Sequence, residues 1–304
     1  MESCATSVAE GMPPRIGGMH IFVWFAALLA VVVLGWADGQ GAWLAARFGS
    51  PSAIPYETLV LLLLAIGCEF VDATIGMGYG TILTPVLLLL GFPIRQIIPG
   101  VVLSQLMGNI SASFFHHRVG NADFLRDSKV RNTALVMGGV GMLVAAATVW
   151  VSLQISAFLL RAAVAGVLLC LGVFLVIGGR FNLTFRWRNV IGLAFVAAFN
   201  KAFTGGGYGP LVCGGQVLVG IHPRSAVAIT AVAEALVCLA TIGTYVVAGQ
   251  NVSLTMLLPL TIGSILVTPV SAATLRRLSP TFARRLMGLA VGIMGMVALL
   301  KMVL

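Results

Sequence analysis

The sequence predicts an all-α polytopic membrane protein of two inverted-topology repeats, each of about five helical segments with short broken or re-entrant helices, plus an N-terminal helix. Composition, an internal duplication and the placement of basic residues carry this prediction. Hydrophobic residues make up 59% of 304 positions and charged residues 9%, with a mean hydropathy of +1.05. No water-soluble core of this length needs so much apolar surface, so the lipid bilayer is the solvent. Apolar runs near the roughly 20 residues that span a hydrocarbon core follow one another with short polar breaks.

Residues 1–55 contain Arg15 and an apolar run from Ile21 to Leu34, read as a retained first helix in preference to a cleaved signal. The first repeat, 56–178, shows apolar segments at 57–73, 80–92, 96–116, 132–152 and 156–178. The second, 187–304, shows them at 188–202, 209–221, 225–248, 252–275 and 282–303. The two repeats are aligned by a constant offset that carries Asp72–Gln105 onto Lys201–Glu234. Gly76, Gly78, Tyr79 and Gly80 fall on Gly205, Gly207, Tyr208 and Gly209, Gly91 on Gly220, and Arg95 on Arg224. An odd number of segments per repeat makes the second enter the membrane from the opposite face.

The basic residues agree with that arrangement. Placing the loops at 116–131, 179–188 and 276–285 in the cytoplasm collects there, with Arg15 and Arg224, 13 of the 18 Lys and Arg residues. A net charge of +9 therefore reports topology and gives no continuous basic stripe for nucleic acid. The five cysteines lack metal-ligand or redox spacing and read as small core residues.

Two stretches interrupt the helical pattern, Asp72–Thr81 and Asn200–Pro210, each containing Gly-x-Gly-Tyr-Gly. Glycine at this density breaks helices where lipid cannot satisfy free backbone groups, so each stretch reads as a turn at membrane depth, beside a short helix. A helix restarting after such a turn offers unpaired N–H groups and a positive dipole end, which suits an anion. Close helix packing is the competing explanation of the glycines. Two inverted copies do not build a fourfold channel filter, and no Lys-Ser/Thr follows to make a phosphate loop.

Ionisable side chains inside apolar segments are Glu69, Asp72, Lys201 and Glu234. Each is costly at membrane depth unless paired, hydrated or used. Lys201 occupies the place of Asp72 in the second repeat, and Glu234 that of Gln105; Lys201 either lines an anion site or pairs structurally with Asp72. Asn109 is an uncharged polar group in the third span. His116 and His117 read as membrane-interface residues. No nucleophile–base pair, metal-ligand set or cofactor motif stands at one depth, which argues against an enzyme.

At these motifs the chain resembles the TauE/SafE family of sulfite and organosulfur-anion exporters, over about residues 56–304. The repeated Gly-Tyr-Gly turns, Gly91 to Arg95, Gly220 to Arg224 and Asn109 carry the likeness. The resemblance implies a multi-pass transporter of the inner (cytoplasmic) membrane, with a small anionic substrate and no cofactor. The substrate-binding residues expected are Gly76, Gly78, Tyr79, Gly80, Asn109, Lys201, Thr204, Gly205, Gly206, Gly207, Tyr208 and Gly209. Glu69, Asp72, Gln105 and Glu234 are candidates for coupling or charge balance. An anion channel and a proton-coupled importer of another small anion are the alternatives to an exporter; the sequence leaves a homo-oligomer open.

Overall fold

The computed structural model describes residues 56–76, 78–156, 158–160, 162–163, 166, 186–250 and 254–275. The N-terminal helix expected from Ile21 to Leu34, most of the segment 156–178, most of the 179–188 loop, the 276–285 loop and the segment 282–303 lie outside the described residues.

Within them the chain runs through α1 (Tyr56–Ile75), α2 (Tyr79–Leu89), α3 (Ile94–Val119), α4 (Ser128–Leu153), α5 (Trp187–Thr204), α6 (Tyr208–Leu218), α7 (Pro223–Val247) and α8 (Leu254–Thr274). Five of these, α1, α3, α4, α7 and α8, are long and apolar enough to cross a membrane. The helices α2 and α6 have 11 residues each, about 16 Å of rise, and fall short of the hydrocarbon thickness. Large apolar side chains such as Leu63, Leu143, Leu266 and Val247 are exposed, whereas Glu69, Gln105, Lys201 and Glu234 are buried. Polar groups inside and apolar groups outside is the arrangement lipid demands.

The duplication extends to element boundaries. α2 begins at 79 and ends at 89, α6 begins at 208 and ends at 218, both 129 positions later. Each short helix closes in the same way: Phe92 N–H bonds Leu87 O and Gly91 N–H bonds Leu88 O, and Ile221 and Gly220 bond Gln216 O and Val217 O likewise. This paired closure needs a left-handed residue, supplied by Gly91 (φ 93°) and Gly220 (φ 87°). It also explains why both short helices stop before 92 and 221, the ends expected from hydropathy.

Polar turns join successive long helices. Between α3 and α4, Asp123 accepts the backbone N–H groups of Leu125 and Arg126, both at 3.0 Å, and these bonds hold its carboxyl below the usual range. Asp127 then caps α4 by accepting from Lys129 and Val130. α3 runs in the same direction as α8: Gly100 faces Met256, Ser264 Oγ donates to Ser104 O at 3.1 Å, and Ser111 pairs with Thr268 at 2.6 Å. α4 runs in the same direction as α7, with Gly138 against Leu236 and Ser152 bonded to the Tyr245 hydroxyl.

The two copies interleave in space. α8, the fourth helix after the second copy begins, packs chiefly on α1 and α3, while α4 packs on α7 and α5. Two apolar cores result. One joins α1, α2, α3 and α8 around Leu64, Tyr79, Leu83 and Leu260 and includes Cys213 of α6 and Val227 of α7; the other gathers α4–α7 around Met137, Ala197, Tyr208 and Val237 and includes Ile94, Ile98 and Val102 of α3.

The α1–α8 contact is close because Gly263 lies against α1. A Cβ there would meet Leu62 O at 2.7 Å and Ala65 Cβ at 2.8 Å. Gly263→Val is expected to destabilise the protein by about 1–3 kcal/mol. Gly243→Ala, where a Cβ meets nothing within 4 Å, is expected to leave it unchanged. Unfolding midpoints in mixed micelles measure both.

Candidate functional site

The two glycine breaks meet. α1 ends in Gly76 (φ 76°) and α5 in Gly205 (φ 78°), so corresponding positions leave their helices through the same backbone conformation. Gly80, in the first turn of α2, lies directly on the second break: a Cβ at Gly80 would overlap Gly205 O and approach Gly206 Cα to 3.0 Å. A Cβ at Gly206 would overlap Gly80 O and reach Gly80 C at 2.6 Å and Thr81 N at 2.9 Å. No residue with a side chain fits either place without parting the two backbones.

Backbone groups freed by the breaks find protein partners. Gly207 N–H donates to Thr81 Oγ1 across the contact at 2.9 Å. Gly206 O accepts from Asn200 Nδ2 at 3.1 Å and Thr204 Oγ1 at 3.2 Å. On the other side, Gly76 N–H bonds Asp72 O at 2.6 Å, and the Tyr79 amide serves the Asp72 carboxylate. The N-terminal end of the restarting helix α2 thus already faces a carboxyl group.

Lys201 stands beside this crossing. Its Nζ lies 3.1 Å from where a Gly80 Cβ would be, and the whole residue is buried. The ammonium pairs with Glu234 Oε1 at 3.2 Å and donates to Gln105 Oε1. Gln105 Nε2 in turn donates to Glu234 Oε1 at 3.0 Å and Asp72 Oδ2 at 3.2 Å. A single network therefore joins α1, α3, α5 and α7, and its members are two pairs of duplicated positions, Asp72 with Lys201 and Gln105 with Glu234. The direct partner of Lys201 is Glu234; Asp72, considered for that role from the sequence, is reached through Gln105.

Other expected site residues have different surroundings. The Tyr79 hydroxyl shares a hydrogen bond with Ser104 Oγ at 2.8 Å and donates to Leu260 O at 3.3 Å, tying α2 to α3 and α8. Tyr208 is fully buried in the second core and its hydroxyl lacks a hydrogen-bond partner. Gly78 folds back on α1, where its Cβ would meet Val71 Cγ1 at 3.1 Å. Gly209, the counterpart of Gly80, lies buried in the first turn of α6. Asn109 is buried with its Nδ2 unpaired. Glu69 is buried, and neither carboxyl oxygen has a partner. His116, expected at the membrane interface, is fully buried. Its Nδ1 accepts from Asn121 Nδ2 at 2.9 Å, and Asn121 also donates to Ala272 O at 2.9 Å, so the pair stitches α3 to α8. No group of three or more His, Cys, Asp or Glu side chains suited to a metal occurs among the described residues.

Thr81 and Asn200 belong to the crossing although sequence reasoning passed them over. Thr81 directly follows the first Gly-Tyr-Gly, and Asn200 precedes Lys201. A polar residue beside a membrane-depth glycine turn was the available signal.

Apolar spanning helices around a buried polar crossing of two broken helices define a multi-pass membrane transporter. The chain belongs to the family described as Sulfite exporter TauE/SafE, whose model matches residues 59–298. It is 24% identical over 250 residues to the probable membrane transporter protein YtnM of Bacillus subtilis (strain 168), covering 78% of this chain and 79% of that protein. No solved structure matches it.

Removing one member of a buried ion pair strands the other, whereas removing both does not. Lys201→Met is expected to cost about 3–5 kcal/mol of stability, and the double variant Lys201→Met/Glu234→Gln to recover most of it. A double-mutant cycle on unfolding free energies in lipid bicelles checks this; equal losses in the single and double variants would contradict it.

Proposed function

We propose that the protein is a secondary transporter that exports a small sulfur-containing anion, sulfite or an organosulfonate, across the cytoplasmic membrane by alternating access. The observation that carries the proposal is the meeting of two glycine breaks beside the buried Lys201 ammonium. Backbone N–H groups, the hydroxyls of Thr81 and Thr204 and the ammonium supply what a dehydrated oxyanion needs. Gly76–Gly80 and Gly205–Gly209 form the two walls of that site.

The repeats 56–178 and 187–304 have inverted topology in this reading. α3 and α4 are joined by the short 120–127 turn, and α4 runs with α7, so a reversal at that turn would set α3 opposite to its counterpart α7. This relation supports inverted repeats, which give inward- and outward-facing states similar energies. The bodies that move in this reading are α1, α2 and α8 on one side and α4 and α5 on the other, while α3, α6 and α7 contribute side chains to both apolar cores. The ion network spans their boundary. Moving one negative charge outward gains about 2.3 kcal/mol per 100 mV when the interior is negative, which favours export. The basic loops at 116–131, 179–188 and 276–285 face the cytoplasm.

Reconstituted in liposomes, the protein is expected to show counterflow of labelled sulfite, thiosulfate or a sulfonate. Passive flux without counterflow would identify a channel instead. Gly206→Val is expected to abolish flux while preserving membrane insertion, since the added side chain wedges the two breaks apart; an active variant would remove the shared site. A cysteine replacing Leu125 is expected to react with a membrane-impermeant maleimide only from the cytoplasmic side, in a background lacking the native cysteines.

A further inference from the structure

The central charges do not balance. Glu69, Asp72 and Glu234 interact electrostatically with one another and with Lys201, so three carboxyl groups share one ammonium. Were all four ionised, the crossing would carry two surplus negative charges and repel an anion. The carboxyls differ in their partners. Glu234 has Lys201 and Gln105; Asp72 has Gln105 and the Tyr79 amide. Glu69 is 0% exposed, and neither Oε1 nor Oε2 receives a hydrogen bond.

A carboxylate in that position would lose hydration with nothing in return, whereas a carboxylic acid is neutral and costs far less. Among the described residues, the surrounding elements offer no second cation. On α1 the neighbouring titratable groups are Cys68 and Asp72, on α2 Tyr79, on α7 Glu234 and Cys238, and on α5 Lys201. α3 presents Gly108, whose Cβ would meet Glu69 Oε2 at 2.9 Å, and its charged side chains lie in its first and last turns. α8 carries no ionisable residue between Leu254 and Thr274. Gly108 thus keeps room for the Glu69 carboxyl.

We propose that Glu69 is a proton-binding site, separate from the Lys201 anchor, whose protonation admits the anion. The unpartnered Glu69 carboxyl beside Gly108, in a cluster with a surplus of carboxyls, is the juxtaposition that carries it. The step is Glu69–COO⁻ plus one proton from the aqueous side giving Glu69–COOH, with no other bond changed. Proton and anion then favour each other's binding by the same factor. Below the Glu69 titration the anion site is open; above it, anion affinity falls about tenfold per pH unit, the slope of one linked proton. The linkage to an anion rests on the transport reading above, whereas the protonated carboxyl does not.

Two measurements on the full chain in lipid nanodiscs separate these. Infrared difference spectra of the protein without ligand are expected to show, at neutral pH, a protonated-carboxyl band that Glu69→Gln removes and Asp123→Asn retains. Should Glu69→Gln not fold, Gly108→Ala is expected to shift that band and Gly139→Ala, at an open position, to leave it in place. A band indifferent to these changes overturns the proton site. Calorimetric titration with methanesulfonate, which keeps its charge throughout, is expected to show no proton uptake below the Glu69 titration and uptake of about one proton per anion bound above it. Glu69→Gln is expected to bind methanesulfonate with no proton uptake and less than about a twofold change per pH unit. PH-dependent binding that survives in Glu69→Gln overturns the linkage. Absence of methanesulfonate binding in the wild type, with the infrared band assigned to Glu69, overturns the sulfonate reading and upholds the proton site.

Discussion

Broken backbone at membrane depth has no water to turn to, and the rest of the structure follows from how this chain meets that demand. Two breaks are pressed together so that each serves the other: Gly207 donates to Thr81, and Gly80 and Gly206 touch through bare backbone. The contact is intolerant of side chains and of separation, since parting the breaks would strand several buried polar groups. Helices α2 and α6 both begin at this contact and end at the closures of Gly91 and Gly220.

Charge placement builds on that contact. The duplicated positions Asp72 and Lys201 carry opposite charges, and Gln105 and Glu234 differ by one ionisable group. Duplication brings all four to one place; divergence makes them complementary. Gln105 is the joint, accepting from Lys201 while donating to both carboxylates. An amide with a donor and an acceptor end can do this, which neither a second glutamate nor a lysine could. The network therefore ties α1, α3, α5 and α7 together, and the proposed alternating cycle requires that these bonds be exchanged for others of similar strength. In the proposed cycle, an arriving anion competing for Lys201, with a proton neutralising a carboxyl, would be one such exchange.

Interleaving sets the mechanical units. Because α4 packs with the second copy and α8 with the first, the sequence midpoint is no boundary in space. Apolar side chains that face outward on α1, α4, α7 and α8 suit lipid, so cohesion between helices comes from small-residue contacts and buried polar bonds. Gly263 against α1, and Ser104 and Ser111 against α8, are of that kind.

Among the described residues, the sequence was enough to place the long helices within a few residues, to pair Tyr79–Leu89 with Tyr208–Leu218, and to single out the buried Glu69, Asp72, Lys201 and Glu234. Those properties depend on local composition and on comparing the chain with itself. Closure by glycine explains the shorter ends of α2 and α6, and a Pro93 start with a Gly120 stop explains the longer α3. The partner of Lys201 was beyond such reasoning, as were the roles of Thr81 and Asn200, the burial of His116 and the isolation of Glu69. Most of these depend on which helix faces which across long stretches of sequence, as where Gly207 meets Thr81 126 positions away. Periodicity tells how far a helix runs and what it is made of; only packing in three dimensions decides which buried charge is answered and which is left alone.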